Sequence, residues 1–336
     1  MPTRQIMFNR INKMFWLRLL LSLMLVVFIF NMVKIDRLIE LISAIKFPFL
    51  GLALALDILE RLLMAYKWKF LLAIKKINLP FSKSVKIYFV STFVGTFLPS
   101  GIGGDVLRAY SLSKQGADSS QAISSIVVDR ILSLLSSLII ALVGILLYSK
   151  LRDDGQVMQS VMITVAGFGI FLFVVMNKKM MQWFFERLKF FKLPRLQSKM
   201  EQLYSASIDY NDHKPALFYV FILSFLFQFI RVMVTFAGSL ALNQHIDAAY
   251  FFIFVPVIIL LAVLPISVAG IGVREGAFVY FFSQVGMSAS EAFTLSLLLY
   301  TVSMIATLPG GVIYVTEGLG VKEAPSIDVS QAQSTS

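Results

Sequence analysis

Phe97–Arg108 reads F-L-P-S-G-I-G-G-D-V-L-R and closes an apolar run with a proline, three glycines, an aspartate and an arginine. A second stretch, Leu264–Gly276, reads L-P-I-S-V-A-G-I-G-V-R-E-G. Pro99 to Arg108 is nine residues, Pro265 to Arg274 is nine, and Gly104 and Gly270 fall in the same register. Proline and clustered glycines interrupt helices. At membrane depth, interrupted backbone persists only where protein or a polar cavity satisfies it. Two interruptions at matched positions in two halves of a chain point to a binding site between those halves.

The surrounding composition puts these breaks in a membrane. The chain has 336 residues, is 58% hydrophobic and has a mean hydropathy of +0.81. That is too apolar for a water-soluble domain, and several windows exceed the length needed to cross a bilayer. A net charge of +11 then reads as Lys and Arg facing anionic headgroups rather than nucleic acid. With no cysteine there is no disulfide, thiolate nucleophile or Cys-ligated metal. Arg4, Arg10, Lys13 and Arg18 precede an apolar run, as in a signal peptide, but no small-residue cleavage site follows. An uncleaved first span with a cytoplasmic N-terminus is expected.

In chain order, spans are expected at about Trp16–Val33, Pro48–Tyr66, Ala122–Tyr148, Val157–Met176, Leu217–Leu242 and Ala292–Tyr314. Lys67, Lys69, Lys75, Lys76, Lys83 and Lys86 read as a lysine-rich loop after the second of these. Residues 178–214 hold eight basic and four acidic residues, with apolar positions at helical spacing, and read as an amphipathic cytoplasmic connector broken at Pro194. Val321–Ser336 reads as a polar, disordered tail.

Charge decides how the breaks are threaded. If Val85–Gly104 crossed fully, the basic segment 178–214 would lie outside and the neutral stretch 150–154 inside, against the positive-inside bias. If each break is instead the tip of a re-entrant hairpin, residues 1–18, 67–86 and 178–214 all fall on the cytoplasmic side. The expected fold is therefore an all-α polytopic membrane protein. It has about six full transmembrane helices and two re-entrant hairpins in an inverted repeat, residues 48–148 against 215–314, within one domain, 1–320.

Ten ionisable residues sit inside or beside these apolar stretches: Asp57, Glu60, Arg61, Asp105, Arg108, Asp129, Arg130, Arg231, Arg274 and Glu275. Each costs about 2.5–3.5 kcal/mol at a helix centre, so ten left unpaired would cost roughly 30 kcal/mol. They must face one another or a hydrated cavity; Asp57 and Arg61, four apart, suit a pair on one helix face. All five bases are arginine, whose planar fork suits phosphate. A short helix is expected behind each break, at about Val106 and Gly276, with its N–H groups and positive dipole end near Arg108 or Arg274. Gly101, Gly103, Gly104, Gly270 and Gly272 would let an anion approach the backbone. Tight helix packing is the plainer use of such glycines. Arg108 and Arg274 are thus candidate headgroup ligands, and the other charged residues a candidate polar or coupling network. There is no P-loop, the Gly270-Ile271-Gly272 stretch is no dinucleotide fingerprint, and His213 and His245 stand without a ligand cluster.

These two motifs resemble the lysylphosphatidylglycerol synthase transmembrane-region family, the flippase-like membrane proteins, over roughly residues 15–316. Gly101, Gly103, Gly104, Asp105, Arg108, Gly270, Gly272, Arg274 and Glu275 match the family motifs. The resemblance implies translocation of an anionic phospholipid, or of a polyprenyl-phosphate-linked sugar, in the cell (inner) membrane. It implies lipid or glycan biosynthetic enzymes as partners, and no cofactor. Both termini are expected in the cytoplasm. About twenty residues follow the last span, so the aminoacyl-tRNA-using activity of the synthases is not expected and the chain is not expected to be an enzyme. The alternatives are a membrane enzyme acting on a lipid headgroup and an accessory protein of such a pathway without transport of its own.

Overall fold

The computed structural model describes residues 35–98, 103–147, 155–177, 213–264 and 266–318, with isolated positions at 20, 23, 24, 179–181, 183 and 210. Among these, every regular element is helical: α1 Ile35–Ser43, α2 Phe47–Ile74, α3 Phe81–Phe97, α4 Gly103–Ser113, α5 Ser119–Leu147, α6 Gly155–Met176, α7 Lys214–Ala241, α8 Ala248–Val263, α9 Val273–Ser283 and α10 Ala289–Glu317. Four of them, α5, α6, α7 and α10, are long and apolar enough to cross a membrane, and α8 is a shorter apolar helix. At 28 residues α2 is also long enough, but it carries Asp57, Glu60, Arg61, Lys67 and Lys69. All of the first expected span but positions 20, 23 and 24, the body of the connector and the tail lie outside the described residues.

Local chemistry sets the helix ends. Proline stands in the first turn of α2 and of α7, where its missing N–H costs no helical bond. Ser288 and Glu291 close a reciprocal cap on α10: Glu291 N–H donates to Ser288 Oγ at 3.3 Å, and Ser288 N–H to Glu291 Oε2 at 2.8 Å. Both hairpin helices stop for one reason. Leu98 (ψ 136) and Leu264 (ψ 133) are extended, as required of a residue that precedes proline, here Pro99 and Pro265.

Helix lengths match in order. α2, α3, α4 and α5 have 28, 17, 11 and 29 residues; α7, α8, α9 and α10 have 28, 16, 11 and 29. Packing follows the same order: α2 lies on α7, α3 on α10 and α8 on α5. α2 and α7 run antiparallel. Lys46 N–H donates to Ala241 O at 2.9 Å at one end, Arg231 holds Glu60 midway, and Lys67 Nζ reaches Ser224 Oγ at 3.2 Å further along. Where α3 meets α10 the backbones touch, since a Cβ on Gly310 would lie 2.1 Å from Phe89 O.

The two short-helix pairs fold back on themselves and open to opposite ends. Leu112, at the end of α4, packs with Ile77, Leu79 and Ile87, so α3–α4 starts and finishes beside the lysine-bearing turn after α2. Phe282, at the end of α9, lies 4.9 Å from Phe251 at the start of α8, near the turn that follows α7. At the lysine end Tyr210 Oη donates to Leu71 O at 3.2 Å, and Lys75 Nζ sits 4.7 Å over its ring. Burial pushes the Tyr210 hydroxyl pKa up.

Two expectations are corrected. Lys67 and Lys69 are not loop residues: α2 continues to Ile74, and Lys83 and Lys86 belong to α3. The short helices are already formed at Gly103 and Val273, three residues before the expected starts: Gly103 and Gly104 are helical in the first, and Gly272 caps the second.

Candidate functional site

The buried face of α2 sets out the charges. Ala53, Asp57, Glu60, Met64, Lys67 and Leu71 recur at four-three-four-three-four spacing, one stripe of a helix. Each charged member meets an opposite charge. Arg61 Nε donates to Asp57 Oδ2 at 2.8 Å, and Arg61 Nη2 reaches Ser303 O and Oγ on α10 at 3.0 and 2.7 Å. Arg231 of α7 donates to Glu60 through Nε at 3.0 Å and through Nη2. Lys67 Nζ stands 2.8 Å from Asp129 Oδ1 on α5, with a hydrogen bond to Ser133 Oγ at 2.8 Å. Phe227 joins the last two groups, with Arg231 4.7 Å and Lys67 5.2 Å from its ring centre.

At the first break Asp105 holds two guanidiniums. One oxygen accepts from Arg108, the other from Arg130 Nε at 2.9 Å and Nη2 at 2.8 Å. Arg108 is sealed: its side chain is 3% exposed and its guanidinium lies 5.2 Å from the Trp68 ring and 5.1 Å from the Tyr88 ring. Its Nη1 stands 3.8 Å from Asp129 Oδ2, beyond hydrogen-bond range. Arg130 is open, with a side chain 52% exposed.

At the second break Glu275 plays the same double part. Its Oε2 accepts from Gly272 N–H at 2.7 Å and its Oε1 from Arg274. Gly270 and Gly272 have φ of 78 and 84, and Ala269 between Val268 and Gly270 has φ 53, so this loop passes through the left-handed region three times. Arg274 is 31% exposed and lies over Tyr300 of α10 at 5.0 Å. Tyr300 in turn lines an apolar groove of about 630 Å³ between α1, α2 and α10, with Phe47, Leu50, Leu54 and Leu298.

The candidate residues of the sequence thus pair in full within the described chain, but not in the register that proline spacing suggests. α4 is described from Gly103 and α9 from Val273. Arg108 is therefore the sixth residue of its short helix and Arg274 the second, a full turn apart. The third residues, Asp105 and Glu275, are the ones that correspond. Gly103 and Gly104 serve packing: a Cβ on them would lie 2.6 Å from the Leu98 side chain and 2.8 Å from Ser91 O. Gly101 lies outside the described residues. The expectation that every buried base is arginine is corrected by Lys67, fully enclosed at 0% exposure. The missed signal was its place in the stripe from Asp57 and Glu60; Trp68, Tyr88, Tyr300 and Ser303 carried no signal in sequence. Among the described residues no group of three or more His, Cys, Asp or Glu is placed to hold a metal ion.

Fold and site together define a polytopic all-α membrane protein with paired charges buried between its helices. The chain belongs to the lysylphosphatidylglycerol synthase TM region family, whose pattern matches residues 15–312. It is 25% identical over 295 residues to a UPF0104 membrane protein of Methanothermobacter thermautotrophicus, covering 79% of this chain and 82% of that one. It is 28% identical over 116 residues to a UPF0104 membrane protein of Methanocaldococcus jannaschii, 34% of each chain. No solved structure matches. The family ties the chain to a lipid-related role in a membrane.

Proposed function

We propose that the protein moves an anionic amphiphile, a phospholipid or a polyprenyl-phosphate-linked sugar, between the leaflets of the cell membrane. The observation that carries this reading is Arg274, a part-exposed cation lying on Tyr300, which also lines the apolar groove beside α1, α2 and α10. A cation at the edge of an apolar groove suits a ligand that is anionic at one end and hydrocarbon at the other. The antiparallel packing of α2 on α7 and the opposed hairpins support an inverted repeat, the architecture that lets one site face either side in turn. On this reading the lysine-bearing end is cytoplasmic by the positive-inside bias, both termini lie there, and Asp57 and Glu60 are candidates for coupling to an ion gradient.

Reconstitution tests it. Phosphatidylcholine liposomes carrying the purified chain and a trace of head-labelled phosphatidylglycerol are expected to expose the inner-leaflet label to an impermeant quencher, with the lipid chemically unchanged. Altered headgroup chemistry would mark an enzyme. No exchange beyond that of empty liposomes would mark an accessory protein.

A further inference from the structure

The unequal arginines of the two breaks carry more than the matched motifs do. Asp105 is third in α4 and Glu275 third in α9, both short helices of 11 residues. Each carboxylate gives one oxygen to an anchor, Arg108 for Asp105 and the Gly272 N–H for Glu275. Each gives the other oxygen to an open guanidinium, Arg130 in the first half and Arg274 in the second. These guanidiniums come from different helices and reach equivalent places. Arg130 is the twelfth residue of the 29-residue α5; Arg274 lies over Tyr300, the twelfth residue of the 29-residue α10. Arg108, the motif arginine of the first half, is sealed under Trp68 and Tyr88 and serves as the anchor.

We infer that Asp105–Arg130 and Glu275–Arg274 are two equivalent stations for a lipid phosphate, one on each side of the membrane midplane, between which the headgroup passes. The inference rests on the transport reading above and names its binding residues. α5 begins at the end where Leu112, Ile77 and Ala122 meet, whereas α10 finishes there, with Glu317 on Lys86. At 1.5 Å per residue the two twelfth positions each lie about 17 Å from their own end and roughly 10 Å apart in depth. That gap is short for a diacyl lipid whose tails remain in the bilayer. Each acid holds its guanidinium while the station is empty, and an arriving phosphate takes over the donors the acid releases. Pairing keeps each cation satisfied when no lipid is present.

Because the guanidinium is delivered from the short helix in one half and the long helix in the other, the inference has a transplant test. Head-labelled phosphatidylglycerol exchange is measured in phosphatidylcholine liposomes for the parent, Arg130→Gln, Arg274→Gln and Arg274→Gln with Tyr300→Arg. Losing a charge-assisted pair to phosphate should slow exchange about tenfold or more in either single variant. Tyr300→Arg, which copies the first half's arrangement, should bring the second back to within about threefold of the parent. Parent-like exchange in either single variant overturns the inference. So does a double variant that elutes as the parent does but stays as slow as Arg274→Gln. If the parent exchanges no lipid, the transport reading falls by itself. The stations are then read from phosphatidylglycerol retained by the purified chain: a severalfold loss in both single variants, restored by Tyr300→Arg, supports them, and equal retention in all four overturns them.

Discussion

Lys67 Nζ lies 2.8 Å from Asp129 Oδ1, and the two side chains are 0% and 1% exposed. A cation on α2 and an anion on α5 are thereby locked together in the interior, with Ser133 and Ser224 filling two more of the ammonium's donor positions. Removing one partner of such a pair costs far more than replacing both.

Lys67→Met is predicted to destabilise the protein by about 3–5 kcal/mol, because it strands a buried carboxylate. Lys67→Met with Asp129→Leu should regain much of that loss. Thermal unfolding in detergent checks it: a double variant less stable than Lys67→Met would show that Asp129 is needed for Arg108 rather than for Lys67.

Arg108 and Arg130 share Asp105 but are predicted to differ in kind. Arg108→Ala removes a sealed guanidinium from between two rings and loosens both Asp105 and Asp129, so yield and Tm should fall by the equivalent of about 3 kcal/mol or more. Arg130→Ala changes a half-exposed side chain, and its Tm should move by about 1 kcal/mol or less. Similar Tm losses in the two would contradict the division into anchor and open arginine.

How much of this was legible in the sequence varied with the physics. Apolar length alone reveals α5, α6, α7 and α10, because a bilayer demands that length whatever the neighbours do. The helix ends before Pro99 and Pro265 were legible from the prolines themselves. The reach of α2 to Ile74 was not, since Lys67 reads as loop until Asp129, on another helix, is placed beside it. Nor was the register of the breaks. Proline-to-arginine spacing is nine residues in both, yet Arg108 is the sixth residue of α4 and Arg274 the second of α9. Nothing local in sequence says where a glycine-rich loop resumes helix.

The absence of cysteine lets single cysteines report sidedness. Ser82, in the first turn of the first hairpin, and Lys114, just after it, are predicted to react with an impermeant maleimide from the same side. Asn243 and Gln284, which flank the second hairpin, should react from the opposite side. The positive-inside bias places the first pair in the cytoplasm. Labelling of Lys114→Cys and Ser82→Cys from opposite sides would mean that α3–α4 crosses the membrane and that the halves are not antiparallel.

If a guanidinium beside an apolar groove selects and moves an anionic lipid, exchange must discriminate lipids by charge. Liposomes holding the parent chain are loaded in turn with head-labelled phosphatidylglycerol and tail-labelled phosphatidylcholine, and inner-leaflet label is followed with an impermeant quencher. Phosphatidylglycerol exchange is predicted to run about tenfold or more above that of phosphatidylcholine, as one charge-assisted phosphate contact supplies, with the advantage lost in Arg274→Gln. Equal rates for the two lipids, or an advantage that survives Arg274→Gln, would contradict it.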